Sequence, residues 1–175
     1  MRKYFAIIII TGFSVLFDQV AKKIIRTSMT PGESIPTTDE FFNILYLQND
    51  GIAFSLFQGN RWLLVGIQVT LIIAIIVVML YVIRKIHSKV IIVSFSMMLG
   101  GGIGNLIDRV FLGKVVDFIS IGNFAVFNIA DMSLTIGCGI MLIYLFTSDK
   151  HKENLEQEVS SDKHKEHLEQ EVSGR

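Results

Sequence analysis

The chain is short of charge and of cysteine, and it has no excess of either sign. Only 18% of its 175 residues are Asp, Glu, Lys or Arg. A typical soluble globular chain carries about 25%, so the shortage argues against a soluble enzyme. The single cysteine, Cys138, excludes an internal disulfide framework and a multi-cysteine metal cluster. Sixteen Lys and Arg balance sixteen Asp and Glu, and this neutral total gives no sign of a nucleic-acid partner. No HExxH motif and no histidine cluster occur in the first 147 residues, which excludes the familiar zinc hydrolase pattern. What is plentiful is apolar surface. Hydrophobic residues make up 51% of the sequence, too many for a disordered chain. The length suggests one domain.

The neutral total is a sum of two unlike parts. Residues 148–160 read SDKHKENLEQEVS and residues 161–173 read SDKHKEHLEQEVS, a tandem repeat that differs only at Asn154 and His167. The segment 148–175 holds eight acids and five basic residues, and three of the four histidines. Two copies are too few for a solenoid, so this segment is expected to be a charged, disordered tail. Residues 1–147 then keep eleven basic and eight acidic side chains and form the folded unit.

Four apolar stretches divide that unit: Tyr4–Phe17, with a helical pattern continuing to about Arg26, then Trp62–Ile83, Val90–Ile107 and Phe124–Phe146. A bilayer span needs about 20 mostly apolar residues. The fold expected is therefore an all-α membrane protein of four transmembrane helices. The first stretch follows Met1-Arg2-Lys3 and so has the opening of a signal peptide, but Phe17-Asp18-Gln19-Val20-Ala21 offers no small-x-small cleavage site, and an uncleaved helix is expected. Four spans place both termini on one side. Arg2, Lys3 and the cation-rich loop 84–89 assign that side to the cytoplasm, although Lys22, Lys23 and Arg26 fall on the other. Between spans one and two, residues 41–58 read as two short strands around Asn49-Asp50-Gly51, a hairpin turn signal. A small extracytoplasmic sheet is expected there.

The eight acids of the unit are Asp18, Glu33, Asp39, Glu40, Asp50, Asp108, Asp117 and Asp131. With this topology all of them fall toward the outer face. Asp117 is expected in the loop between spans three and four. Asp131 is expected seven residues into span four, roughly 10 Å deep at the helical rise of about 1.5 Å per residue. A carboxylate inside a membrane is costly and marks a functional site by default. Asp18 and Lys22 share a helix face at i, i+4; Asn105, Asp108 and Arg109 share one, as do Asn128 and Asp131. A one-sided cluster suits chemistry or binding at one leaflet. A proton-coupled transporter needs polar groups staged through the whole depth.

Several chemistries fail on topology. Cys138 lies mid-span, and no histidine falls on the outer side, so a Ser-His-Asp triad is excluded. The GGGIG run at 100–104 lacks the Lys-Ser/Thr of a phosphate loop and reads instead as a close helix contact. A Ser/Lys dyad through Lys22 or Lys23 stays open. So does a pair of aspartates sharing one proton. Asp117 and Asp131 are the natural pair, though spacing alone does not choose them over Asp18 or Asp108. A non-enzymatic lipid-binding or assembly factor using the same cluster is the alternative from another class, and a transporter comes third.

Five blocks in order then carry a family resemblance: FDQVAKK at 17–23, QNDGIAFSLF at 48–57, GGIGNLIDRV at 101–110, VVDFI at 115–119 and FNIADMSLTIG at 127–137. Over residues 1–147 the chain resembles the bacterial lipoprotein signal peptidases, or signal peptidase II. The resemblance implies an intramembrane aspartic endopeptidase of the cytoplasmic membrane, with its site toward the outer face. It implies a prolipoprotein substrate whose cysteine bears a diacylglyceryl group, cut on the N-terminal side of that cysteine. It makes Asp117 and Asp131 the catalytic pair, and Asp18, Lys22, Asn49, Gly51, Asn105, Arg109 and Asn128 the residues lining the site. It implies no metal and no cofactor, membrane lipids as surroundings, and cyclic peptide antibiotics as inhibitors. The repeat at 148–175 has no counterpart in the family pattern.

Overall fold

The computed structural model describes residues 2–36, 42–51, 59–86, 88–122 and 125–147. The duplicated segment 148–175 lies outside the described residues. The elements run α1 (Arg2–Ser28), β1 (Ser34–Pro36), β2 (Phe42–Asn49), α2 (Arg61–Lys85), α3 (Lys89–Phe111), β3 (Val115–Ile121), β4 (Ala125–Phe127) and α4 (Ile129–Thr147). All four helices are long and apolar enough to cross a membrane. The expected four-span architecture with a small sheet is therefore what the chain adopts.

The helix α3 is the hub. In its apolar stretch 56% of the residues are buried, against 11% for α1 and 17% for each of α2 and α4. Successive residues of a helix point about 100° apart, so the glycines of α3 face different neighbours. A methyl group on Gly100 would strike Ser14 and Thr11 of α1. One on Gly101 would strike Ala130 and Leu134 of α4, and one on Gly102 would press on Ile72 of α2. Gly104 faces Asp18 of α1 and Ala130 of α4. Small residues let helices approach closely where lipid removes the hydrophobic drive to associate. The GGGIG run is thus a three-way packing surface. The outward faces of the other helices, with Phe13, Leu71, Val77 and Ile143 exposed, suit contact with lipid.

Two apolar clusters sit at different heights along the bundle. One joins Ile7 of α1, Ile72, Met79 and Ile83 of α2, and Ile91, Phe95 and Leu99 of α3. The other joins Ile25 and Met29, at the end of α1, to Tyr46, Val116 and Phe118 of the sheet. Along α1 and α3 the polar residues Asp18, Lys22, Asn105 and Asp108 fall between these clusters. They form a polar layer with apolar packing on both sides.

The sheet is antiparallel, with strand order β1-β2-β3-β4. Here the structure departs from expectation in two respects. First, half of the sheet comes from the connection between α3 and α4, not from the region between α1 and α2 alone. Second, Asp117 lies on β3, between β2 and β4, and not in a loop. The run VVDFISI pairs along β2 with one register shift, between Ile44 and Leu47, and its first four residues are all buried, so it carries no strand-like alternation to read in the sequence. Among the described residues β2 pairs with β1 and β3; the second arm of the expected hairpin, 52–58, lies outside them.

The register sets what each face carries. Gln48 is opposite Val116, Leu47 opposite Asp117 and Asn49 opposite Val115. Side chains alternate between faces along a strand. Tyr46, Val116 and Phe118 therefore turn toward Ile25 and Met29, while Asn49 and Asp117 turn the other way. Gly113, at φ 77°, supplies the left-handed residue just past the end of α3 that lets the chain reverse into β3.

Candidate active site

Asp131 is placed by the start of α4. Asn128 precedes this helix, and its side-chain Oδ1 accepts from the Asp131 backbone N–H at 2.9 Å. The Asp131 Oδ2 accepts in return from the Asn128 backbone N–H at 3.3 Å. This reciprocal pair is a capping box, with Asn at the cap and Asp three residues on. It corrects the depth expected from sequence. The span begins at Ile129 rather than Phe124, so Asp131 sits in the first turn and not 10 Å down the helix. Residues 125–127, apolar enough to read as span, are strand β4 instead.

Asp117 is held from both sides. Its Oδ1 accepts from Asn128 Nδ2 at 2.7 Å, and its Oδ2 from Asn49 Nδ2 at 3.0 Å. Asn128 therefore joins the two carboxylates: its side-chain amide nitrogen donates to Asp117 and its backbone N–H to Asp131. Asn105 completes the link. Its Nδ2 donates to Asp131 Oδ1 at 2.7 Å, and its Oδ1 accepts from Asn128 Nδ2 at 3.1 Å and from Lys22 Nζ at 2.9 Å. Because Lys22 can only donate, it fixes the orientation of the Asn105 amide and so aims the Nδ2 at Asp131.

Lys22 is the centre of the layer beneath. Its ammonium lies 2.8 Å from Asp18 Oδ2 and 3.2 Å from Asp108 Oδ2. Lys22 and Asp18 are 0% exposed and Asp108 is 1% exposed, so they underlie the site rather than line it. Each acid also holds a piece of backbone next to one of the paired aspartates. Asp18 Oδ1 accepts from the Ala130 N–H at 2.9 Å, and Asp108 Oδ2 from the Val116 N–H at 3.0 Å. The carboxylate of Asp18 thereby meets the positive end of α4, where an anion is favoured.

Arg109 points elsewhere. Although it follows Asp108, its guanidinium donates to Gln68 Oε1 at 2.6 Å and to the Gly51 carbonyl at 3.2 Å. Gly51 in turn donates its N–H to Asn49 Oδ1 at 3.0 Å. The 49–51 turn is thus tied to α3 at one end and to Asp117 at the other. All nine site residues expected from the sequence, Asp18, Lys22, Asn49, Gly51, Asn105, Arg109, Asp117, Asn128 and Asp131, fall within one hydrogen-bonded network. Three members were missed. Asp108 stood on the Asn105 face but was not given a place in the site. Gln19 donates to Asp18, Asp108 and the Gly104 carbonyl at 3.0–3.1 Å. Gln68 bridges Arg109 and the Gly102 carbonyl, the latter at 2.7 Å. A long polar residue in the uncharged stretch Trp62–Ile83 was the signal available for it.

Burial pushes the Asp117 carboxyl up from 3.8 to about 6, against the Asn49 hydrogen bond and with the help of the neighbouring Asp131 charge. The folded protein then binds this proton more tightly than the unfolded chain does. Asp117 imposes no penalty at pH values below 3.8 and its full penalty above about 6. The thermal midpoint of the wild type relative to Asp117→Asn is expected to fall as pH rises through that window and to level off above it. A difference that stays flat from pH 4 to 7 would show that Asp117 titrates normally.

The helices and the paired carboxylates define a multi-pass membrane protein with a polar site at one end of its bundle. Comparison with known proteins makes the class specific. The family model described as signal peptidase (SPase) II matches residues 10–147. A lipoprotein signal peptidase of Dehalococcoides mccartyi is 40% identical over 144 residues, covering 79% of this chain and 88% of the relative. One from Staphylococcus aureus is 37% identical over 161 residues, covering 89% and 98%. A bacterial membrane enzyme solved by the in meso method at 2.3 Å resolution superposes with a TM-score of 0.73 at 38% identity, covering 82% of this chain and 88% of that one. The chain belongs to the signal peptidase II family. The family match ends at residue 147, where the duplicated segment begins.

Proposed function

We propose that the protein is an intramembrane aspartic endopeptidase that removes signal peptides from diacylglyceryl-modified prolipoproteins, cutting on the N-terminal side of the lipidated cysteine. The observation that carries this reading is the sharing of Asn128 by Asp117 and Asp131. One residue donates to both carboxylates, through its side-chain N–H to Asp117 and its backbone N–H to Asp131, and two carboxylates brought together in this way can divide one proton between them. The ionised member takes a proton from water as the water oxygen attacks the scissile carbonyl. The protonated member gives its proton to the carbonyl oxygen. The tetrahedral intermediate then collapses, the C–N bond breaks, and the departing amine takes a proton from the dyad. Asn49, Asn105 and Asn128 keep both carboxylates oriented throughout, and the Arg109 contact to Gly51 holds the turn that carries Asn49.

The surroundings fit such a substrate. Asp131 is half-buried and reaches the surface, whereas the charges beneath it are sealed. Beside it a groove of about 470 Å³ runs between α1 and α4, with Phe13, Phe17, Ile129 and Met132 among its walls. An acyl-anchored cysteine would hold its scissile bond near the membrane face at that height. The site would face outward, with both termini in the cytoplasm of a bacterial cell membrane. Cyclic peptide inhibitors would compete for the same carboxylates. The apolar cluster of Ile7, Ile72, Met79, Phe95 and Leu99 fills the other half of the bundle, which supports a one-sided site over a transport path.

A precursor-processing assay tests the substrate. The reconstituted protein is expected to cleave a diacylglyceryl-modified precursor and to leave the same precursor uncut when its cysteine is unmodified. Equal cleavage of the two would overturn the substrate assignment.

A further inference from the structure

The reverse face of the β2–β3 ribbon carries a second site, away from the carboxylates. A cleft of about 160 Å³ opens there, lined by Arg26, Tyr46, Gln48, Leu112, Lys114 and Val116. Two cations thus share a small cavity that no acid lines. Neither has a hydrogen-bonding or ion-pair partner among the described residues. The Arg26 Nε is buried and unbonded, a condition that folded proteins rarely tolerate without an acceptor nearby. Gln48 Nε2 donates to the Tyr46 hydroxyl at 3.0 Å. The Tyr46 proton is committed to no acceptor among the described residues, which leaves a third donor at the cleft.

We propose that this cleft binds the phosphate of an anionic phospholipid in the leaflet that borders the sheet. An arginine fork beside a lysine point charge is the pairing that phosphate oxygens favour. The depth suits a lipid headgroup. Arg26 lies in the last turn of α1, below which Ile24 and Val20 are exposed. Leu112 lines the cleft, and it and Phe111 stand exposed at the end of α3. Acyl chains can run down this apolar surface while the phosphate meets the cations. Gln48 and Val116, paired across the strands, adjoin Asn49 and Asp117 in sequence. A bound headgroup would therefore brace, from behind, the two strands that carry Asn49 and Asp117.

The test is lipid retention by the full chain, read without any substrate and so independent of the protease assignment. The protein is reconstituted in phosphatidylcholine nanodiscs with a minor fraction of phosphatidylglycerol, released, and examined by native mass spectrometry. Wild type is expected to keep phosphatidylglycerol over phosphatidylcholine. The Arg26→Gln/Lys114→Gln variant is expected to lose roughly tenfold of that preference, since each basic residue contributes to headgroup attraction. The Arg26→Lys/Lys114→Arg variant is expected to keep it, which separates charge from packing. Millimolar inorganic phosphate is expected to leave the lipid in place. An unchanged preference in the Gln variant would overturn the proposal, as would equal loss in the charge-conserving variant. Displacement by phosphate would mark a site for soluble anions and overturn the lipid assignment.

Discussion

Asp131→Asn and Asp117→Asn are each expected to abolish precursor cleavage while leaving a folded, inserted protein. As the proposed catalytic dyad, the pair needs one ionisable oxygen to take the proton from water and one acidic proton to give to the carbonyl. An amide supplies neither. Loss of positioned acid–base transfer costs about 10²–10⁴-fold in rate, and losing nucleophile activation with it should leave no measurable product. The structural cost is far smaller. Each carboxylate accepts two hydrogen bonds, and an Asn side chain keeps one acceptor oxygen for one of them. The other donor loses its partner, a loss of about 1–3 kcal/mol. Precursor processing in membranes, read beside the thermal midpoint of each purified variant, separates the two effects. Full cleavage by either variant would sink the dyad. Inactivity on Lys22→Ala with activity kept in Asp131→Asn would favour a Ser/Lys mechanism instead.

The contrast between these two aspartates also shows what a sequence can and cannot say. The spans were legible because their signal is additive: twenty apolar residues specify a membrane helix whatever their neighbours do. The GGGIG run was legible as packing because a phosphate loop needs residues that are absent. The sheet was legible only in part. Its β2 strand carries a turn signal at Asn49-Asp50-Gly51, but β3 and β4 are apolar and run straight toward α4. No local feature separates a buried strand from the start of a membrane helix by periodicity alone. The deciding residue is Asn128. Its side chain ends the strand and caps the helix, and with Asp131 it spells a capping box. Reading that box would have raised Asp131 from seven residues into the span to its first turn. The network was legible as a list of residues, chiefly through the family resemblance, but not as a structure. Helix spacing placed Asp18 beside Lys22 and Asn105 beside Asp108. It did not show that Asp18 reaches α4 or that Asp108 reaches β3, because those bonds span 112 and 8 residues of chain.

Those two bonds make Lys22→Met the most disruptive single change expected outside the dyad. In the wild type one ammonium sits between two carboxylates, all three sealed from solvent. The arrangement survives because each carboxylate also receives a backbone N–H, and Gln19 donates to both. Methionine matches the length of the lysine stem but brings no charge and no donor. Asp18 and Asp108 would then face each other as buried anions, and Asn105 Oδ1 would lose the partner that aims its Nδ2 at Asp131. Breaking a buried ion pair by removing one partner costs about 3–5 kcal/mol, a large share of the stability of an ordinary domain. Arginine is no substitute, because its wider planar head has no space in a pocket closed on every side. The effect should therefore appear twice, as a lower thermal midpoint in detergent micelles and as lost cleavage. A compensated variant, Lys22→Met/Asp18→Asn/Asp108→Asn, distinguishes charge from cavity. It removes all three charges and keeps the side-chain volumes. If uncompensated charge is the cause, the triple variant should regain most of the lost stability, since replacing a whole buried ion pair is often near neutral. Cleavage should stay impaired, because Asn105 is still without its lysine. A Lys22→Met protein as stable as the wild type would mean that the layer is held by backbone bonds and helix packing alone. A triple variant no better than Lys22→Met would assign the loss to packing around the lysine stem.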